Sequence, residues 1–534
     1  MSSTTKFLFC LFLLVSGTSY SASAQFTSPN EVDTTPASTS GTYDTQYAGS
    51  IWRTELNRAI MPHLNHPDFE NAIWGVHVID LNTGATMFSR NANVSMMPAS
   101  NTKLYTTAVA LDLLGADFQY YTPVWTNGSV QNGTLVGDLI IQGSGDPTFS
   151  GRYNDGDRTK TFRDWAADLK SQGITRIEGN IIGDDTLFDD VALGSSWSWD
   201  YTSYWYAAEM GALSFNENCI DLEMFGTTPG QPGIINIEPF GTTYAQIINE
   251  TVTVRRGERT STGYNRPWGT NDMYVRNRLI AGDTTTYSMA ITNPALFFVH
   301  VLKEVLEQEG IEVNGNVYDR NGLAMVGDYK SNGKVLTSYT SPTLEEIVFI
   351  LNKRSQNFFA ENLLKTMGAY YKIQNNLVEE GKPIEATSRD GFRAMWPVLG
   401  EAGVDTTRLN LADGSGLSRM NIVAPSMTTT LLKFMWDHED EAVRNAFINS
   451  LPRGGEEIGT LRTMFTSGPA SASVAAKTGT IGFARALSGY VTAADGTPLA
   501  FSIMVNHHTI GNTQSNRVIT SVVNTLAEFR YPSK

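Results

Sequence analysis

The sequence predicts an α/β (α+β) fold in which helices flank one antiparallel sheet and a large β-rich insertion interrupts the chain. Its 534 residues exceed what one hydrophobic core usually serves, so we expect about two to four domains. A content of 41% hydrophobic and 10% aromatic residues argues for well-buried cores. Complementary helix and strand patterns occur near both ends of the chain, and the residues between them differ in character.

The pattern near the start is helix, strand, turn, strand. Residues 51–60 carry apolar side chains near helical spacing. Residues 73–80 and 85–88 have strand-like character and flank the turn-forming residues 82–84.

The pattern near the end complements the first. Two strand-like runs, 487–491 and 499–505, flank a turn at Asp495-Gly496, and residues 518–529 carry apolar side chains at helical spacing. Terminal helices packed on one antiparallel sheet, whose strands come from both ends of the chain, would be an economical core.

Residues 117–290 change character. They contain short strand-like runs, such as 137–142 and 177–184, with many glycine, asparagine and threonine residues. We expect an insertion that forms one or two extra domains, with the main domain built from residues 47–116 and 291–534.

The first 24 residues have the layout of a secretory signal peptide: Lys6 precedes the apolar run 7–15, and small residues precede Gln25. We therefore expect a periplasmic or secreted protein, cleaved near Ala24, with a flexible leader rich in Ser, Thr and Pro at residues 25–46. The apolar run is shorter than the about 20 residues that span a bilayer, and no later run qualifies, so we expect no transmembrane anchor.

Charge and histidine spacing exclude several functions. The formal net charge of -15 repels phosphate backbones, so we expect no nucleic-acid partner. None of the seven histidines has a metal-ligand spacing such as H-E-x-x-H, so we expect no metal site and no cofactor.

Ser100 and Lys103 lie one turn apart at the predicted start of an amphipathic helix, which ends before Gly115. A lysine desolvated in a cleft can have its pKa lowered enough to take the proton of a serine hydroxyl, and free N–H groups at a helix start can hold an oxyanion. The S-x-x-K pattern alone is weak, because it recurs at Ser331 and Lys334 and because Ser100 could be a helix cap.

Two further motifs follow in order. Ser355-Gln356-Asn357 heads a second predicted helix, although capping alone would explain Ser355. Lys477-Thr478-Gly479 occurs once, at the predicted end of a strand, where glycine permits a close backbone approach; the alternative is a lysine that protects a strand edge from aggregation. Together, S-x-x-K, S-x-N and K-T-G predict an acyl-transferring serine enzyme.

The runs around these motifs carry a resemblance to a known family. They are Pro98-Ala99-Ser100 with Lys103-Leu104, Gly145-Asp146-Pro147, residues 211–218, Gly310-Ile311 with Gly315, residues 360–363, residues 413–419, Gly459-Thr460-Leu461 and Lys477-Thr478-Gly479-Thr480. Over residues 50–530 or so, the chain resembles the class C low-molecular-mass penicillin-binding proteins, which are D-alanyl-D-alanine carboxypeptidases and endopeptidases of bacterial peptidoglycan. The context also selects Ser355 over other S-x-N matches.

The resemblance implies a penicillin-binding, transpeptidase-like domain whose insertion forms two extra domains. It implies peptidoglycan stem peptides as substrates and β-lactam antibiotics as covalent inhibitors. The implied catalytic residues are Ser100, Lys103 and Ser355, and the implied substrate-binding residues are Asn357, Lys477, Thr478, Gly479 and Thr480. Departures from the family are Gly211, where a serine is expected, and residues 225–290, which match poorly.

Three alternatives stay open at this point. A serine β-lactamase shares the three motifs, but the large insertion argues against it. A catalytically idle murein-binding protein could keep the fold, but Ser100, Lys103, Ser355 and Lys477 are all intact. A Ser-His-Asp esterase would need a G-x-S-x-G elbow, which the sequence lacks.

Overall fold

The computed structural model describes residues 51–239, 241–324 and 333–531. The predicted signal peptide, residues 1–24, and the predicted flexible leader, residues 25–46, lie outside these ranges. Within them, no helix combines the length and the apolar composition that crossing a bilayer requires.

The described ranges contain eleven α-helices and twenty-two strands. The helices are α1 Ile51–Leu64, α2 Thr102–Leu114, α3 Lys160–Ser171, α4 Pro294–Gln308, α5 Arg320–Ala324, α6 Leu344–Arg354, α7 Asn357–Gln374, α8 Ser388–Glu401, α9 Pro425–Trp436, α10 Glu441–Ser450 and α11 Asn512–Glu528. The strands are β1 Ile73–Asp80, β2 Thr86–Arg90, β3 Tyr121–Thr126, β4 Ser129–Gln131, β5 Thr134–Val136, β6 Leu139–Gln142, β7 Arg176–Ile177, β8 Ile181–Asp184, β9 Cys219–Phe225, β10 Ile234–Glu238, β11 Gln246–Asn249, β12 Val252–Val254, β13 Tyr264–Asn265, β14 Asp272–Val275, β15 Arg278–Ile280, β16 Thr284–Ala290, β17 Glu312–Val313, β18 Val317–Asp319, β19 Lys334–Thr340, β20 Ala475–Ile481, β21 Ala484–Thr492 and β22 Pro498–Asn506.

An antiparallel sheet of order β2-β1-β22-β21-β20 combines strands from both ends of the chain. Helices α1 and α11 cover one face, where Val76 and Val78 of β1 share a core with Val518 and Val522 of α11. Side chains of β1 alternate between the two faces, as the strand period requires. The predicted antiparallel sheet flanked by helices is confirmed.

A helical layer of α2, α6, α7, α8, α9 and α10 covers the other face. At its centre lies α2, whose residues from Thr102 to Leu111 are all buried. The prediction of an amphipathic helix is therefore wrong, because a helix enclosed on every side needs no polar face. Its polar side chains are bonded internally instead; Thr106 Oγ1, for example, donates to Gly414 O at 2.6 Å.

The insertion is β-rich and has its own core. Its strands form sheets of order β18-β8-β6-β3-β19, β17-β7-β5-β4, β10-β9-β16, β11-β14-β13 and β12-β15. Helices α3 and α4 pack in this core through aromatic side chains, and the ring centroids of Phe162 and Phe298 lie 4.8 Å apart.

Strand pairing bears on the boundary between the main domain and the insertion. Strands β17, β18 and β19 pair with β7, β8 and β3, and α4 shares a core with α3. From this pairing we infer that the inserted region extends to about residue 340 rather than ending at residue 290. Of the predicted main-domain segments 47–116 and 291–534, the second would then begin close to α6.

Helix α7 of the main domain is bonded to the insertion along its length. Near its start, Asn357 Nδ2 donates to Tyr206 O at 2.7 Å. Further along, the buried Lys365 Nζ donates to Asp189 Oδ1 at 2.6 Å and to Val191 O at 2.8 Å. The insertion therefore helps to fix the helix that carries Asn357.

We expect Asp189→Ala to lower the free energy of unfolding by about 2 kcal/mol, because it leaves the buried Lys365 ammonium without its counter-charge. Urea unfolding followed by fluorescence measures the change. The matched control is Asp164→Ala, which removes an exposed ion pair with Lys160 and should cost about 0.5 kcal/mol or less. Equal losses in the two variants would contradict the structural role of the buried pair.

Candidate active site

Ser100 lies in the 3₁₀ turn Ala99–Asn101, immediately before α2. The turn starts with Ala99 at a φ of 48°, a conformation that residues other than glycine rarely adopt. Asn101 ties the turn to the sheet, since its Nδ2 donates to Lys477 O at 2.7 Å and its Oδ1 accepts from Ser488 Oγ at 2.7 Å. Ser100 is half-buried between two buried neighbours, so the turn presents this side chain rather than those on either side.

Lys103 is fully buried one turn further on. Its Nζ donates to Ser100 Oγ at 3.2 Å, to Asn357 Oδ1 at 2.6 Å and to Ser415 O at 2.6 Å. Three acceptors match the three protons of a lysine ammonium, and they come from three separate segments of the chain. The predicted S-x-x-K pair is thus in direct contact.

The environment of Lys103 favours loss of its proton. Burial lowers the pKa of Lys103 to about 7, against the opposing effect of the Asp413 and Glu361 carboxylates. Burial and the charge of Asp413 in turn raise the pKa of Glu361 to about 8. A lysine with a pKa near 7 is substantially neutral at neutral pH and can accept the proton of Ser100.

Ser355 and Asn357 lie where α6 ends and α7 begins. Ser355 adopts the left-handed conformation, with φ 61° and ψ 43°, and its backbone ends α6. Its side chain does not cap α7, since the residue at the N-cap position is Gln356. Ser355 Oγ instead accepts from Lys477 Nζ at 2.8 Å. Asn357 Oδ1 accepts from Lys103, as described above. The S-x-N motif therefore places one side chain on each of the two lysines.

Lys477 lies inside β20, the edge strand of the sheet, rather than at the end of a strand as predicted. It is fully buried, and its Nζ also donates to Thr478 O at 3.0 Å. A buried lysine cannot protect an exposed strand edge, so that alternative is wrong. Burial and the positive charges of Lys103 and Arg485 lower the pKa of Lys477.

Two glycines let neighbouring backbone pack against the turn of Ser100. A Cβ at Gly479 would lie 2.5 Å from Pro98 O, and a Cβ at Gly416 would lie 1.9 Å from Ala99 O. Both distances are too short for any side chain. The edge strand and the loop around Gly416 thus hold the turn directly, and the close approach expected at Gly479 is present.

Thr478 and Thr480 lie on one face of β20, since alternate residues of a strand point the same way. Thr478 Oγ1 donates to Thr460 Oγ1 at 2.7 Å. Thr480 is exposed, and its Oγ1 accepts from Nη1 of Arg485, its cross-strand neighbour on β21. All the residues predicted for the site therefore belong to one connected arrangement.

Two residues of the site were not predicted from the sequence. Glu361 accepts from the N–H of Ser415 at 2.8 Å and so positions the peptide that bonds Lys103. Helical spacing could have indicated Glu361, because it follows Asn357 by four residues on α7. Arg485 could be found only from the register of the β20–β21 hairpin.

The site combines a serine bonded to a buried lysine, at the start of a central helix, with a second lysine on the sheet edge. The fold that carries it is shared with a solved penicillin-binding protein. These features define the class of penicillin-binding, transpeptidase-like serine enzymes. A family model described as the D-Ala-D-Ala carboxypeptidase 3 (S13) family matches residues 56–529, and the chain belongs to that family.

Individual relatives agree with the family. The chain is 32% identical over 466 residues to a D-alanyl-D-alanine carboxypeptidase of Actinomadura sp. (strain R39). The matched region covers 85% of this chain and 81% of the relative. The crystal structure of penicillin binding protein 4 (dacB) from Haemophilus influenzae matches with a TM-score of 0.73 at 25% identity, over 89% of this chain and 98% of that chain. A structure of the same protein complexed with a β-lactam matches with a TM-score of 0.66, at the same identity and coverage.

The predicted family, fold class and enzyme class are confirmed by these findings. Neither the β-lactamase nor the idle murein-binding protein is favoured by them.

We expect Gly416→Ala to lower the free energy of unfolding by about 3 kcal/mol, because its Cβ would overlap Ala99 O and its φ of 86° is strained for alanine. Gly400→Ala is the matched control: no atom lies within 4 Å of its Cβ, and in a helix it should be neutral or slightly stabilising. Urea unfolding of both variants makes the comparison. A Gly416→Ala variant as stable as the control would show that the close contact is not required.

Proposed function

We propose that the protein is an exported serine D-alanyl-D-alanine carboxypeptidase or endopeptidase that acts on peptidoglycan stem peptides through an acyl-enzyme at Ser100. The observation that carries the proposal is the contact of Ser100 Oγ with the buried Lys103 Nζ at 3.2 Å. A serine needs such a base, because its own hydroxyl is a poor nucleophile. Membership of the family supports the substrate class.

In the acylation step, Ser100 Oγ bonds to the carbonyl carbon between two terminal D-alanines while its proton passes to Lys103 Nζ. Asn357 Oδ1 and Ser415 O keep the amine aimed at Oγ before and after the transfer. The N–H groups of Ser100 and Thr480 would hold the oxyanion of the tetrahedral intermediate.

The second serine–lysine pair would serve the leaving group. When the carbon–nitrogen bond breaks, Ser355 gives its proton to the leaving nitrogen and recovers one from Lys477, which lies 2.8 Å away. The last D-alanine, or the amine of a crosslink, departs. Before hydrolysis, the proton that Lys103 took from Ser100 must return to Lys477, which restores both lysines. Water then attacks the ester, its proton passes to Lys103, and Lys103 gives a proton to Ser100 Oγ as the ester bond breaks and the shortened stem peptide leaves.

Substrate binding would use the remaining predicted residues. Thr480 can donate to the substrate carboxylate, and Thr478 can do so when Thr460 donates to it instead of accepting from it. Lys477 adds positive charge nearby. Asn357 has one Nδ2 hydrogen beyond its bond to Tyr206 O and can bind a peptide carbonyl with it. Gly479 contributes by letting the edge strand approach the turn of Ser100.

The same nucleophile supports two further parts of the proposal. A β-lactam presents a strained amide to a serine, and the related Haemophilus influenzae protein has been crystallised with one, so we expect β-lactams to acylate Ser100. Residues 1–24 have the layout of a signal peptide, which supports export to the periplasm or the exterior, where peptidoglycan lies.

We expect the protein to take up one equivalent of a fluorescent penicillin and to release D-alanine from a pentapeptide, and Ser100→Ala to abolish both. Gel fluorescence and an assay for free D-alanine measure the two activities. Ser331→Ala, in the other S-x-x-K match, is the control and should change neither. Absence of labelling, or equal labelling after Ser100→Ala, would refute the proposal.

Mass spectrometry of muropeptides separates the two activities left open. Loss of one D-alanine from a stem peptide indicates a carboxypeptidase, whereas a crosslinked dimer converted to monomers indicates an endopeptidase.

The acylation rate should rise as pH increases through about 7, because Lys103 accepts a proton only in its neutral form. Asp413→Asn should move this acidic limb to lower pH, since the charge of Asp413 is the larger of the two that raise the pKa of Lys103. Rates of penicillin acylation across the pH range test both statements. Glu379→Gln, which changes an exposed surface pair, should leave the limb in place. A limb that moves to higher pH in Asp413→Asn would contradict the assignment of Lys103 as the base.

A further inference from the structure

Arg485 brings a half-buried positive charge to the edge of the site. Its Nη1 donates to Thr480 Oγ1, and its Nε donates to Asn516 Oδ1 at 2.8 Å. These bonds use two of the five N–H donors of a guanidinium. Throughout the part of the chain that the structure describes, no carboxylate pairs with Arg485.

The cations of the site are compensated unevenly. Lys103 faces the buried carboxyl groups of Asp413 and Glu361. The side-chain amine of Lys477, in contrast, bonds only uncharged oxygens of the described residues, and its charged neighbours are Lys103 and Arg485. A partly desolvated cation without a counter-ion is unfavourable. The side of the site formed by β20 and β21, which carries Lys477 and Arg485, is therefore suited to an anion.

We propose that Arg485 is a specificity-determining residue that binds, together with Thr480, the carboxylate of the residue that leaves. The inference rests on the function proposed above and names the group that selects its substrate. Thr480 Oγ1 can rotate to donate to a carboxylate while it accepts from Arg485, and the planar guanidinium can add a charge-assisted bond to the same anion.

Position supports this assignment. Thr480 is exposed on the edge strand, directly after Gly479, whose backbone packs against the turn that carries Ser100. Cross-strand partners lie on the same face of a sheet, so Arg485 shares the face of Thr480 and Thr478. In the binding mode proposed above, where Thr478 and Thr480 hold the terminal carboxylate, the leaving residue would lie beside Arg485.

The test compares two acylated peptides, one ending in D-alanyl-D-alanine and one in D-alanyl-D-alaninamide. The protein should prefer the acid by about tenfold or more in kcat/KM, as expected for a charge-assisted bond. Arg485→Gln should reduce this preference to about threefold or less, because it slows hydrolysis only of the peptide that ends in a free carboxylate. Arg485→Lys should retain most of the preference. Arg517→Gln removes an exposed charge beside Asn516 on α11 and should keep the original preference.

Each outcome decides between roles. An acid preference in Arg485→Gln equal to that of the wild type would overturn the inference. An equal loss of kcat/KM on both peptides would also overturn it, because it would indicate a merely structural role. The rates at which a penicillin and its methyl ester label Ser100 can be compared in the same way. Their ratio measures the preference for a free carboxylate without any peptide hydrolysis. If penicillin does not label the wild-type protein at all, the proposed function and this inference both fail. If labelling is normal but Arg485→Gln keeps the acid preference of the wild type, only the role of Arg485 fails.

Discussion

The buried amine of Lys103 is the constraint on which the rest of the site depends. An amine removed from water needs an acceptor for each proton, and Ser100, Asn357 and Ser415 supply them. Because the three acceptors belong to segments far apart in sequence, the amine can be buried only when those segments have packed together. The same burial brings the pKa of Lys103 to about 7, so the packing that completes the fold also prepares the base.

The insertion takes part in this packing rather than standing apart from it. Tyr206 accepts from Asn357, and Trp197 Nε1 donates to Asp413 Oδ2 at 2.9 Å. Asp413 in turn accepts from the N–H of Gly416, the glycine that contacts the turn of Ser100. Two of the groups that shape the surroundings of Lys103 are thus held in place by contacts with the inserted region.

The sequence was sufficient for features that are encoded locally. Strand β1 has the predicted bounds Ile73–Asp80, and the three motifs identified both lysines and both serines of the site. Features that depend on distant partners were not predictable. The enclosure of α2 requires knowledge of every helix around it, and the end that we infer for the insertion rests on pairings such as β19 with β3. The role of Arg485 depends on strand register, because a shift of one residue would have placed its side chain on the other face of the sheet.

The uneven placement of acids explains how two buried lysines could take opposite roles. Burial lowers the pKa of both, but carboxylates oppose this at Lys103, whereas neighbouring cations reinforce it at Lys477. A bound substrate carboxylate would supply the missing negative charge and raise the pKa of Lys477. The ammonium so formed would favour the neutral amine at Lys103. Under the proposed mechanism, the substrate's own charge would then set one lysine as the base for Ser100 and the other as the proton source for Ser355.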